Sequence, residues 1–173
     1  PVGARIYIGA GTHLRQQVEP KADQEFVGAP GAIMDGLNET AYAFTGPVNG
    51  VAIDGLEIRN YTSGSSSGAV HTTGTGWLIT NSEIHDNSYV GVSIKGGSTI
   101  SNNNIHHNDQ FGVLVDGGSN SVVDNNEISH NNDDQTTAPY YFAGAKFLST
   151  SGLQVTNNHV HDNHGYGLWT FED

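Results

Sequence analysis

Two lysines, Lys95 and Lys146, and one histidine, His71, are the side chains of this sequence best suited to proton transfer. A lysine acts as a base only as the neutral amine, a state favoured by partial burial or by a second cation close by. Asp116, Asp133 and Asp134 offer the oxygen ligands that Ca2+ prefers, although acidic loop residues also serve as turn formers. Trp169, Phe171, Tyr140 and Tyr141 carry flat faces that stack on pyranose rings, Ser93 adds a hydroxyl, and lysines meet carboxylates. These groups are spread from His71 to Phe171, so only a fold that stacks distant segments can bring them together.

The sequence describes such a fold. Trp77 to Asn87 is echoed at Ser98 to Asn108, at Ser121 to Asn131 and at Leu153 to Asn163. The anchor positions Ile58, Ile84, Ile105, Ile128 and Val160 are spaced by 26, 21, 23 and 32 residues. A constant motif with variable spacing means loops inserted at one point of each repeat. Each repeat reads as three short strands. Val51/Ile53, Ile79, Ile100, Val123 and Val155 point inward from the first, and the anchors point inward from the second. Asn81, Asn102, Asn125 and Asn157 mark the turn between them and are expected to form an internal ladder, as are Asn87, Asn108, Asn131 and Asn163 after the second strand. Phe26-Val-Gly, Ile33-Met-Asp-Gly and Arg5-Ile-Tyr-Ile8 extend the pattern upstream. The expectation is all-β: a parallel β-helix solenoid of about seven rungs, three short strands per rung, as one domain over residues 1–173.

On the third strand, period-two alternation gives an outward row of Ala43, His71, Ser93, Leu114, Lys146 and Trp169. The next outward row is Thr45, Thr73, Lys95, Asp116, Leu148 and Phe171. Two long insertions, 61–68 and 131–143, precede this strip and wall it, a shape suited to a sugar chain.

With 23 glycines, no cysteine and no apolar run long enough for a membrane span, the chain reads as a soluble β domain without disulfides. Its net charge of −12, with six Lys or Arg, repels a phosphate backbone and counts against nucleic acid as a partner.

Ile6-Tyr-Ile-Gly-Ala-Gly-Thr12, Val51-Ala-Ile-Asp-Gly-Leu-Glu-Ile58 and the Ile-His-Asp-Asn and Gly-Val repeats resemble those of the pectate-lyase-like superfamily of right-handed parallel β-helix proteins. The resemblance covers essentially the whole chain. It implies a carbohydrate-active protein, with substrate along the sheet that follows the long loops, in a secreted, cell-surface or periplasmic setting. Since this scaffold carries several chemistries, fold alone does not choose among them. The leading expectation is β-elimination on an acidic polysaccharide, with Lys146 as base beside Lys95 and with Ca2+ at Asp116, Asp133 and Asp134. The alternatives are a glycan-binding or adhesion module and a structural solenoid segment. No Asn-Thr-Asp, Gly-His-Gly or Asp-Pro-His-Glu element occurs, and no arginine falls on the strip, so no complete catalytic set carries over.

His85, His106 and His161 share an outward column on the second strand, with Glu83, Glu127 and His159 nearby. Ser129 interrupts the column, so a solvated face is expected in preference to a transition-metal site. The sequence stops on a third strand without a capping helix, which suggests a segment of a longer β-helix or an end covered by another copy.

Overall fold

The computed structural model describes residues 1–132 and 142–171, which form twenty strands and no helix. They make three parallel sheets of seven, seven and six strands, ordered strictly by rung. The first sheet runs from Arg5–Ile8 to Gln154–Thr156, the second from Gly11–Leu14 to His159–His161, and the third from Phe44–Gly46 to Tyr166–Phe171. An isolated bridge from Val18 to Phe44 supplies the third side of the first rung, which gives seven rungs.

Inward residues stack in columns because each strand pairs in register with its counterpart one rung away. Ile58, Ile84, Ile105 and Ile128 are in direct register and fully buried, as are Ile53, Ile79, Ile100 and Val123. Val70, Val92, Val113 and Ala145 line the third side. Each aliphatic side chain so buried contributes about 1.5–3 kcal/mol of transfer free energy, repeated rung after rung.

The column Asn87, Asn108, Asn131 and Asn163 forms an internal ladder as expected. The Nδ2 groups of the first three donate to the next Oδ1 at 3.0, 3.0 and 2.9 Å and also to the main-chain oxygens of Ile58, Ile84 and Ile105. Each receiving Oδ1 also accepts the main-chain N–H of the preceding asparagine. A polar group at 0% exposure is tolerated here because its hydrogen-bonding capacity is met.

The other ladder is displaced by one residue from its expected place. Asn81, Asn102, Asn125 and Asn157 occupy the left-handed region, with φ of 51°, 59°, 52° and 55°, and their side chains are exposed. Asparagine tolerates that conformation, which turns the corner and rotates the side chain outward. The next residue takes the inner position, so the buried ladder is Asn103, Asn126 and Asn158, linked at 3.0 and 2.9 Å, with Ser82 at its head. Outside, Asn125 donates to Asn102 at 2.8 Å, and Asn157 donates to Asp124.

Gly112 shows why glycine follows the buried asparagine column. A Cβ there would stand 2.8 Å from Asn131 Nδ2 and 2.9 Å from the Gly144 carbonyl oxygen, space the ladder already fills.

Candidate functional site

The third sheet carries most of the residues singled out for chemistry. Its register sets His71 beside Ser93, then Leu114, Lys146 and Trp169 in turn. At the start of this row stands Thr45, which pairs with His71; Ala43, assigned there from the sequence, is fully buried. The two positions share a parity, so the alternation is unchanged and the register is displaced by two residues on the three-residue strand Phe44–Gly46.

Ser93 and Leu114 point from this face yet are buried. Ser93 Oγ donates to the Ser66 carbonyl oxygen at 3.3 Å, and Ser66 N–H donates to Gln110 Oε1 at 3.1 Å, so the first long loop lies down over the sheet. Its base is fixed by Ser63, whose hydroxyl bonds the carbonyl oxygens of Ser67 and Ser88. Ser93 therefore sits beneath a loop rather than on an open binding strip. Leu114 joins Val90, Phe111 and Ala143 in a second apolar cluster outside the solenoid core, with Leu148 and Trp169 packed against it.

Lys146 crosses this cluster. Its Nζ lies 3.8 Å from the centroid of the Trp169 ring and 5.4 Å from that of Phe111. Burial pushes the ammonium below the ordinary lysine value, and the nearby negative charge of Asp116 only partly opposes the shift. Lys95 was expected to depress Lys146. Its charge is instead felt at His71, and Lys95 Nζ forms an ion pair with Asp116 Oδ2 at 2.6 Å.

Burial, and secondarily the charge of Lys95, lowers the pKa of His71 below the ordinary imidazole value. His71 stacks on Tyr42 with ring centroids 5.8 Å apart, and its Nδ1 is buried without a hydrogen-bond partner among the described residues. Phe171 is exposed at the edge of the sheet, 6.5 Å from Trp169. Asp133, Asp134, Tyr140 and Tyr141 lie outside the described residues. Of the three acids expected to hold Ca2+, Asp116 alone is described, and Lys95 already occupies it.

The second sheet forms a different constellation. His85 and His106 stack with centroids 4.9 Å apart, and His107 and His130 stack at 5.1 Å on the adjoining corner. Each column histidine turns Nε2 toward the glutamate one rung earlier: His85 to Glu57, His106 to Glu83 and His161 to Glu127, at 3.4, 3.2 and 3.3 Å. Only in the last case does another histidine join, because His159 stands directly across from Glu127. One ligand atom from each of Glu127, His159 and His161 falls within 4.8 Å of the others. The histidine column itself, which Ser129 breaks, does not converge; the convergence runs between the Glu127 and His159 positions instead. Beside these residues a cleft of about 390 Å³ is lined by Asn102, Asn125, Asn126 and Asn157 among others.

In solved structures the same architecture recurs. The enzymatically active domain of bacteriophage CBA120 tailspike protein 2 aligns with a TM-score of 0.61 at 12% identity, covering 92% of this chain and 32% of that one. The A-module of the Azotobacter vinelandii mannuronan C-5 epimerase AlgE4 aligns with a TM-score of 0.53 at 18% identity, covering 96% of this chain and 50% of that module. The chain thus spans half or less of these structures, and at such identities the likeness is one of fold. No curated protein matches it in sequence. The family model described as the right handed beta helix region matches residues 44–172, and the chain belongs to that family.

Proposed function

We propose that the third sheet binds an acidic polysaccharide and that Lys146 removes the proton on the carbon next to a uronate carboxylate, with β-elimination following. The observation that carries this reading is the half-buried Lys146, drawn below its ordinary pKa at a surface that also presents Trp169. An amine in that setting reaches its neutral form more readily than a solvated lysine, as a general base must. Its lone pair takes the C5 proton, and the electrons of the C–H bond delocalise into the carboxylate. They then form the C4–C5 double bond as the C4–O bond breaks, and the departing oxygen takes a proton from solvent. Lys95 would have to leave Asp116 to meet a substrate carboxylate, and Phe171 and the open part of Trp169 offer stacking surface.

The name of the epimerase that shares this fold specifies C-5 of mannuronan, the carbon from which this mechanism also takes a proton. Epimerisation and elimination part only after that step, by reprotonation of C5 or by loss of the C4 substituent. With such a substrate, the reading includes a setting at the cell surface, in the periplasm or outside the cell.

A non-catalytic glycan-binding module is the second reading, favoured by the closed Lys95–Asp116 pair, which leaves fewer free groups for catalysis. Incubation with alginate, pectate and glycosaminoglycans separates the two. Ultraviolet absorbance from an unsaturated uronide supports elimination, and deuterium uptake at C5 without absorbance supports epimerisation. Binding with neither supports the module, and no binding to any of these polymers sinks both readings.

A further inference from the structure

We propose that Glu127, His159 and His161 form a binding site for a borderline divalent transition cation of the Zn2+ type, on the second sheet. This site lies on a different sheet from Lys146 and does not depend on the polysaccharide reading. Two strands build it. His159 and His161 alternate with inward Val160 on strand His159–His161, so both imidazoles leave the same face. Glu127 is the direct register partner of His159 on the preceding strand Glu127–Ser129. Backbone pairing thus fixes the three side-chain origins, and their ligand atoms already lie within 4.8 Å of one another. Tetrahedral Zn2+ with bonds of about 2.0–2.1 Å needs ligand atoms ~3.3 Å apart, a contraction within the reach of rotamer changes in exposed side chains.

The donor set selects the metal class. Two imidazole nitrogens and one carboxylate oxygen suit Zn2+, Ni2+, Co2+ or Cu2+ and do not suit Ca2+ or Mg2+, which take oxygen ligands. A second feature prepares His161 for this role. Its Nδ1 is 2.8 Å from Asp162 Oδ2, while its Nε2 faces Glu127 Oε1 at 3.3 Å. An Nδ1–H donated to Asp162 leaves the Nε2 lone pair aimed at the cation, the carboxylate–histidine–metal arrangement. The left-handed corner position of Asp162, φ 50°, brings its carboxylate alongside the ring. The ring of His130 lies 6.0 Å from that of His161, edge to face. Other rungs lack the set: Glu57 and Glu83 each face one column histidine, with Glu83 and Asn104 where His159 stands.

The test is a titration of chelator-treated protein with ZnCl2 by calorimetry, repeated with Co2+ by visible absorption. Wild type is expected to bind one ion per chain, with nitrogen-ligand bands in the Co2+ spectrum. His159→Asn and Glu127→Gln are each expected to raise Kd at least about tenfold, and Asp162→Asn to weaken binding within the ~10–100-fold range of outer-shell changes. His85→Asn, on the same face with its own glutamate, is expected to leave Kd unchanged. Since the altered groups are surface side chains, thermal melts of the metal-free variants should match wild type; if His159→Asn does not fold, Glu127→Gln gives the same reading. Absence of binding by wild type at millimolar Zn2+, an unchanged Kd in the folded variants, or an equal loss in His85→Asn would each overturn the proposal.

Discussion

Lys146 lies across the ring of Trp169, its register partner on the next strand, with Nζ 3.8 Å from the ring centroid. The indole therefore does two things at once. It stabilises the cation by about 0.5–2 kcal/mol through its quadrupole, and it excludes water from one side of the amine, which favours the neutral form. The two effects act in opposite directions on the amine, whose pKa burial lowers against the opposing charge of Asp116.

This pairing makes Lys146→Arg the decisive variant for the proposed activity. Arginine keeps the charge and the stacking but is not deprotonated in proteins. Binding of polysaccharide is expected to persist, while turnover drops by the factor of about 10²–10⁴ typical of a lost general base. In wild type, turnover should rise with pH through an apparent pKa below the ordinary 10.5 of lysine, because only the neutral amine accepts the proton. Undiminished turnover in Lys146→Arg, in an assay of unsaturated product against pH, would remove Lys146 from the mechanism.

An asparagine of the buried ladder and one at an exposed corner should differ sharply in their effect on stability. Asn108→Ala removes the bonds to Asn131 and Ile84 and leaves buried groups of Asn87 unpaired, so a loss of about 2–4 kcal/mol is expected. Asn102→Ala acts at an exposed left-handed corner and should cost about 1 kcal/mol or less. Urea denaturation of the two variants measures the contrast.

Gly112→Ala should destabilise more than an ordinary glycine-to-alanine change in a strand, which is often favourable. The added methyl meets Asn131 Nδ2, the Gly144 carbonyl oxygen and Ile128 Cγ2, all within 3.0 Å. Overpacking of this kind costs about 1–3 kcal/mol. Gly64→Ala, where nothing stands within 4 Å, is the control, expected to melt within a degree or two of wild type.

Asp35 predicts acid sensitivity. Burial pushes its carboxyl up, but hydrogen bonds from Asn60, the Leu37 N–H and Arg59 outweigh that penalty and hold it below the usual carboxylate range. Because the folded value is depressed, the stabilisation is fully present above the unfolded value of about 3.9. It shrinks as pH falls below that value and is gone once pH has passed the folded one. Asp35→Asn should lower stability at pH 7 by about 1–3 kcal/mol and flatten the stability profile in that acid window. Guanidinium melts from pH 2 to 7 provide the measurement, and an unchanged slope would contradict the assignment.

The isoleucine columns, the buried ladder from Asn87 to Asn163 and the three-strand rung were legible in the sequence, because strand alternation and the repeat spacing state which residues share a side. Parity also placed His71, Lys146 and Trp169 in one outward row. It failed where the chain leaves the strand conformation. At Asn81, Asn102, Asn125 and Asn157 a left-handed turn rotates the side chain outward, and the inner position passes to the following residue. A linear pattern carries no sign of that rotation.

Reach and desolvation belong to the tertiary structure alone. Nothing in the spacing of Ser93 says that Ser66 covers it, that Lys95 is taken by Asp116, or that Phe111 and Leu114 make a second apolar cluster under Lys146. Likewise Glu127 and His159 are 32 residues apart, and only the register of two neighbouring strands sets them side by side. The sequence by itself determined the solenoid and the face each residue occupies, because period and parity are properties of a single strand. Which groups meet, and in what dielectric, was decided by loops and rungs packing against one another, since burial and distance depend on residues far away in the chain.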